Sequence, residues 1–170
     1  MKKIKNVEDC FELRLLRKIK PDEEKSRRSL DIAEENLLKT KKLLDLNIAE
    51  SAIFQAYMVM FHASRALLYK DGVQEKSHFA ISIYLKEKYS NSIPLNILNL
   101  LDIHRIERHE SIYGLEYKPT ELDAIKAYED AKIFLEHIKK IIKSGFGTTK
   151  GIGSFTKEDK RWIEGKHYDD

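Results

Sequence analysis

The sequence predicts an all-α fold, an antiparallel bundle of about five helices, and three features of the chain support this. Glycine and proline are scarce, at seven and three among 170 residues, whereas a β-rich fold with many tight turns needs more of both. Glu, Lys, Leu, Ile and Ala, which mostly favour helices, make up much of the chain. Apolar residues recur at three- and four-residue steps along several long segments, as they do on the buried face of a helix.

The predicted helices begin and end at residues that commonly bound helices. Pro21 and the acidic residues after it suit a helix start, Asn47 and Gly72 suit helix ends, and Pro119 starts the last helix. A short N-terminal helix carries Phe11, Leu15 and Ile19 on one face. The predicted helices cover residues 7–18, 22–46, 49–70, 78–89, 94–113 and 119–144. Short connections between the later helices favour antiparallel neighbours.

The helix over 49–70 is the expected centre of the bundle. Ala52, Ala56, Ala63 and Leu67 recur at helical spacing, and apolar residues cover most of its circumference. Such a helix has more apolar surface than one bundle core covers, so we expect a homodimer.

Two segments are expected. Residues 1–144 form the helical-bundle domain, with its short N-terminal helix. Residues 145–170 form a glycine-rich, flexible tail, in which Thr156 and Asp159 weakly indicate the start of one short helix carrying Trp162, the sole tryptophan.

The sequence indicates a cytoplasmic protein. Cys10 is the single cysteine, so no intrachain disulfide is possible. Glu8 and Asp9 interrupt the N-terminus before any apolar run develops, which excludes an ordinary signal peptide. No apolar run reaches the roughly 20 residues that a membrane span needs, and we expect no membrane association.

Motifs for common cofactors and metals are absent or incomplete. The glycines between Gly145 and Gly153 match neither dinucleotide-binding nor P-loop spacing, and no strand precedes them. His109, Glu110 and Tyr113 fall one residue short of a zinc-protease helix, with tyrosine in place of the second ligand. We therefore expect neither a metal nor a cofactor.

Two arginines continue the apolar stripe of the helix over 94–113. The stripe steps by three and four residues through Leu98, Leu101, Arg105, Arg108 and Ile112. Because an unpaired buried charge costs several kcal/mol, both arginines must face carboxylates, phosphate or a water-filled cleft. The alternative to a ligand is pairing with acids such as Glu107, Glu110 or those within 121–130.

Three further side chains belong to the candidate site. His109 follows Arg108 at the edge of the same face, and on the central helix His62 and Arg65, three residues apart, form a second polar pair.

A central segment and the residues after it resemble the HEPN superfamily. The segment runs Ala-Tyr-Met-Val-Met-Phe-His-Ala-Ser-Arg-Ala-Leu-Leu over 56–68, followed by Gly72-Val73 and Lys76-Ser77-His78. The ending of the helix over 94–113 is similar to the Arg…Asp-Tyr-Gly of one small branch, and appears as Arg108…Ile112-Tyr113-Gly114. Pro119-Thr120, Asp130-Ala131 and Phe134 fit the last helix of the family, so the resemblance spans about 26–142.

The resemblance implies a dimeric helical bundle with a shared polar cleft, often paired with a minimal nucleotidyltransferase as toxin and antitoxin. Several relatives are metal-independent ribonucleases with an Arg-x4-6-His motif, in which arginine holds the phosphate and histidine assists attack by the ribose 2′-hydroxyl. Neither Arg105 nor Arg108 is followed by a histidine after four to six intervening residues, and Tyr113 stands near its place.

These observations predict a HEPN-type protein that binds nucleotide or RNA phosphate through Arg105, Arg108, Tyr113, His62 and Arg65, without efficient catalysis. One alternative is a ribonuclease toxin that uses Arg105 or Arg108 with His109 or His62. The other is a purely structural helical dimer whose arginines pair with carboxylates.

Overall fold

The computed structural model describes residues 4–113 and 118–145, and within them six helices and two short strands. In chain order these are α1 Val7–Glu12, β1 Leu16–Lys18, α2 Glu23–Asp45, α3 Ala49–Lys70, β2 Val73–Glu75, α4 His78–Tyr89, α5 Leu95–Tyr113 and α6 Glu121–Gly145. The predicted all-α bundle is confirmed. Residues 114–117 and 146–170, including the expected short helix around Trp162, lie outside the described residues.

Helix α3 is the centre of the bundle, as predicted. It packs against α2, α4, α5, α6 and β2. Thirteen of its residues are buried, and none of its large hydrophobic side chains is exposed. The reason given above for a dimer is therefore wrong, because the chain covers α3 by itself. Within the described residues, apolar side chains are exposed on α5 at Leu95, Ile103 and Ile106 and on α6 at Leu122, Ile125 and Ile133.

Helix α2 lies against α3 through small polar side chains as well as the predicted apolar stripe. Ala33 of that stripe is fully buried, but Leu30 and Leu37 are only partly so. Ser26 and Ser29 are buried, and their hydroxyls donate to the carbonyls of Ala66 and His62 at 2.6 and 3.0 Å. Because these donors find partners, their burial costs little, and their small size allows the two helices to approach closely.

The helix boundaries follow local capping chemistry. Asp22 caps α2 by accepting from the Lys25 amide at 2.9 Å. The chain leaves α2 through Asn47, which has a positive φ of 56°. Thr120 and Asp123 cap α6 reciprocally, each side chain accepting from the other's backbone amide.

The predicted helix over 7–18 is wrong in its second half. Helix α1 ends at Glu12, and residues 16–18 form β1, which pairs antiparallel with β2. Gly72, at φ +74°, makes the turn that leads from α3 into β2, and its amide and carbonyl bond to Tyr69 and Ile19. A Cβ at this position would lie 2.8 Å from the Ile19 carbonyl oxygen, so glycine is required there.

No helix of the described residues is both long enough and apolar enough to cross a membrane.

Candidate functional site: an arginine cleft between α3, α4 and α5

One face of α3 supplies a ladder of aromatic and basic side chains. Tyr57, Phe61 and Arg65 are four residues apart and therefore lie above one another on the helix. The Tyr57 and Phe61 rings are 6.2 Å apart between centroids, and the Arg65 guanidinium lies 5.5 Å from the Phe61 centroid. His62 lies beside them, with its ring 5.3 Å from that of Phe61.

The first residue of α4 joins this ladder. The His78 ring lies 4.2 Å from the Phe61 ring, and its Nδ1 is hydrogen-bonded to the Tyr57 hydroxyl at 2.7 Å. Gly72 and β2 return the chain beside α3, which brings the start of α4 to this position. Neither His78 nor Tyr57 was among the site residues predicted from the sequence, although both fall within the segments that resemble the family.

Arg108 reaches the same place from α5. Its guanidinium lies 5.2 Å from the Tyr57 ring centroid and 5.9 Å from that of Phe54, within the range of cation–π attraction. Its Nε is buried and, within the part of the chain that the structure describes, has no hydrogen-bond partner and no carboxylate within 4.0 Å. The guanidinium is thus held by aromatic faces while its charge lacks a counter-charge from the described residues.

Arg105, one turn earlier, is partly compensated. Its Nε lies 3.5 Å from Asp102, and its guanidinium lies 5.7 Å from the Phe79 centroid. Asp102 also accepts from Ser82 at 2.5 Å and Lys86 at 2.7 Å. Burial would raise the pKa of Asp102, but the hydrogen bonds from Lys86 and Ser82 lower it. Arg105 is therefore paired in part with a carboxylate, as the structural alternative expected of the arginines.

Two of the acids expected to pair with the arginines, Glu107 and Asp130, instead contact His104. His104 is 1% exposed, with Nδ1 2.8 Å from Glu107 and Nε2 2.8 Å from Asp130, which joins α5 to α6. Burial alone would lower the pKa of His104, but its bonds to Glu107 and Asp130 raise it. His104 was not among the predicted site residues, yet it continues the buried stripe after Leu101.

Arg65 is committed to structural partners at the edge of the cleft. Its Nε lies 3.0 Å from Glu75, whose side chain is only 9% exposed, and its guanidinium donates to the Tyr69 hydroxyl. The arginine thus compensates a buried carboxylate on β2, which ties α3 to the two-stranded ribbon.

The histidines of the cleft are neutral at physiological pH. Burial, with the positive charge of Arg65, lowers the pKa of His62 to about 4. Burial, reinforced by Arg108, Arg105 and Arg65, also lowers the pKa of His78. Burial raises the pKa of Tyr57 to about 12, against the opposing effect of the two α5 arginines, so its hydroxyl stays protonated.

The remaining predicted residues lie apart or beyond the described side chains. His109 is 62% exposed, and its Nδ1 lies 3.9 Å from Glu110. The side chain of Tyr113 lies outside the described part of the structure. We refer below to Tyr57, His78, Arg105 and Arg108 as the Arg108 site. It presents fixed positive charge and neutral donors, which suits an anion.

Comparisons with known proteins confirm the family resemblance drawn from the sequence. The family model described as HEPN domain matches residues 26–141. The chain is similar to a protein of Methanocaldococcus jannaschii named "Putative toxin", with 31% identity over 67% of this chain and 86% of the relative. It is also similar to a "UPF0332 protein" of Archaeoglobus fulgidus, with 33% identity over 65% of this chain and 89% of the relative.

Proposed function

Because the chain belongs to the HEPN domain family, we propose that it binds a phosphate group of a nucleotide or RNA at the Arg108 site. The observation that carries this proposal is that Arg108 has a buried Nε without a hydrogen-bond partner among the described residues. A guanidinium with a buried Nε and no counter-charge among the described residues costs free energy, which a bound phosphate recovers through charge-assisted hydrogen bonds. Arg105, one turn away, adds a second positive charge to the same cleft.

The surroundings favour a phosphate that carries a nucleoside over a small inorganic anion. The two arginines lie against the rings of Phe54, Tyr57 and Phe79, so the cleft offers aromatic faces beside its positive charge. Arginine and aromatic side chains together are the usual means by which proteins hold single nucleotides and unpaired bases.

Binding is tested directly with the purified protein. A fluorescent single-stranded RNA and a labelled nucleoside triphosphate are titrated with wild type, Arg108→Ala and Arg28→Ala. Arg28 is an exposed arginine of α2, 3.9 Å from Glu35, and serves as the matched control. We expect Arg108→Ala to weaken binding by about 10- to 100-fold, the range of a lost charge-assisted hydrogen bond, and Arg28→Ala to change it little. Equal affinity of Arg108→Ala and wild type would contradict the proposal.

We also propose two partners. The first is a second copy of the chain, in contact through α5, where Ile103 and Ile106 are exposed one turn apart. The second is a minimal nucleotidyltransferase acting as antitoxin. The Methanocaldococcus jannaschii relative is named "Putative toxin", which supports a toxin role for this chain. The neighbouring genes are searched for a minimal nucleotidyltransferase, which is then co-expressed with this chain and purified by an affinity tag on one partner. The absence of such a gene, or recovery of the tagged chain alone, would count against this partner.

A second function, metal-independent ribonuclease activity, is favoured by one observation. The structure brings a neutral histidine, His78, to the arginines, although the motif histidine is missing from α5. A neutral imidazole can take the proton of a ribose 2′-hydroxyl while the arginines hold the phosphate that it attacks. The lowered pKa of His78 makes it a weak base, so we expect cleavage to be slow or absent.

Incubation of unstructured RNA with the protein in EDTA decides between binding alone and cleavage. His78→Ala, His62→Ala and His109→Ala are compared with wild type. Robust cleavage that His78→Ala abolishes would establish the ribonuclease with His78 as its base. Loss of cleavage in His109→Ala alone would instead return the role to the exposed histidine of α5.

A further inference from the structure

Phe79 is the aromatic residue of the cleft whose ring is open to solvent. It follows His78 in the first turn of α4 and is 40% exposed, whereas Tyr57 and Phe61 are buried. Phe79 lies beside Arg105, and part of its apolar surface is left hydrated, so a flat ligand stacked on it would remove that surface from water.

The Phe79 ring is supported by Arg105, which Asp102 holds in turn. The guanidinium of Arg105 lies 5.7 Å from its centroid, and Asp102 anchors that arginine at 3.5 Å. Asp102 in turn accepts hydrogen bonds from Ser82 and Lys86, which lie on α4 one and two turns beyond Phe79. The ring is therefore a supported surface at the cleft, with its position set by α4 and α5 together.

We propose that Phe79 stacks against a base of single-stranded RNA whose phosphate is bound at Arg108. This inference rests on the proposed function and deepens it, because it specifies an unpaired base as part of what the cleft takes. Contacts link the two ends of the surface through neighbouring residues: Arg108 lies on Tyr57, Tyr57 bonds His78, and His78 precedes Phe79. A base in a duplex is stacked on its neighbours and cannot use the ring, so the cleft selects unpaired strands.

The test compares three ligands of equal length: a single-stranded RNA, the same RNA as a duplex, and an oligomer with abasic spacers in place of the bases. Wild type, Phe79→Ala and Phe79→Trp are measured, with Leu95→Ala as a control. Leu95 is an exposed apolar residue at the opposite end of α5 from Arg108. We expect wild type to prefer the single strand over both other ligands. Phe79→Ala should weaken single-strand binding by about 5- to 100-fold and leave abasic binding unchanged, while Phe79→Trp retains single-strand affinity.

The outcomes separate this inference from the proposed function. If wild type binds none of the ligands, the proposed function itself fails. If wild type binds the abasic oligomer as tightly as RNA, phosphate binding stands and stacking is overturned. Equal weakening of all three ligands by Phe79→Ala would show that the ring only supports Arg105, and a change of oligomeric state in Phe79→Ala would show that a second copy covers it. Each of these last two results also overturns stacking.

Discussion

Arg65 and Arg108 differ in what they compensate, and we predict that replacing each by glutamine gives opposite results. Arg65→Gln removes the cation that faces Glu75, a carboxylate only 9% exposed. Breaking a fully buried ion pair from one side costs about 3–5 kcal/mol. The Arg65 side chain is 24% exposed, so water screens part of this penalty. We therefore expect the free energy of unfolding to fall by about 2 kcal/mol, which lowers the Tm by roughly 4–8 °C for a chain of this size.

Arg108→Gln leaves no described carboxylate without its partner. It loses the cation–π contacts with Phe54 and Tyr57, about 0.5–1 kcal/mol each, and it also removes a buried Nε that has no hydrogen-bond partner among the described residues. These terms oppose each other, so we expect stability to change by less than about 1 kcal/mol. Binding of single-stranded RNA should nevertheless weaken by about 10- to 100-fold.

Urea unfolding followed by far-UV circular dichroism gives the stability, and fluorescence anisotropy gives the affinity. Arg108→Lys serves as a control that keeps the charge but loses the planar guanidinium, and it should bind with intermediate affinity. If Arg108→Gln destabilises the protein as much as Arg65→Gln and binds RNA normally, Arg108 is structural and the reasoning is refuted.

Gly72, His104 and Ile106 can each be tested by a single substitution. Gly72→Ala should reduce the free energy of unfolding by about 1–3 kcal/mol, because alanine disfavours φ +74° and its Cβ would meet the Ile19 carbonyl; urea midpoints within error of wild type would contradict this. The pKa of His104 is raised in the folded protein, so the folded chain keeps a proton that the unfolded chain releases above about pH 6.5. The stability from His104 is therefore full below that pH and is lost as the pH rises through the raised folded pKa. Unfolding measured across pH should show this loss in wild type but not in His104→Gln, and identical pH profiles for the two proteins would exclude the effect. Sedimentation equilibrium should show about twice 19.9 kDa, and Ile106→Lys should shift the mass towards one copy; a wild-type monomer at high concentration would exclude the dimer on α5.

The helices could be predicted from the sequence because their signals are local. Ala49–Lys70 was placed correctly from apolar spacing and its flanking Asn47 and Gly72, all within one stretch of chain. The strand at residues 16–18 could not be predicted in this way. Its partner is β2, more than 50 residues later, and nothing within 7–18 distinguishes a segment that pairs with a distant strand from the end of a helix.

The site was predictable only in part, because only its residues on α5 have a signal within one stretch of sequence. The periodicity of α5 identified Arg105 and Arg108 as charges on a buried stripe. It could not show which acids lie near them, and the structure assigns Glu107 and Asp130 to His104. Tyr57 and His78 come from two other helices, so their contact depends on how the helices pack. A signal was available in the spacing of Tyr57, Phe61 and Arg65, which places aromatic and basic side chains on one face.

The ribbon of β1 and β2 means that the family match does not mark where the stable unit begins. The match starts at residue 26, yet Val7, Cys10 and Leu16 are part of the hydrophobic core, and the Val7 amide bonds to Glu87 on α4. Shortening the chain to residues 26–141 would remove β1, which pairs with β2 at Glu75. It would also remove α1, which packs against α4. Because α4 carries His78 and Phe79, a shortened protein that still unfolds cooperatively could have lost its ligand affinity, and a negative binding result from it would say nothing about the whole chain.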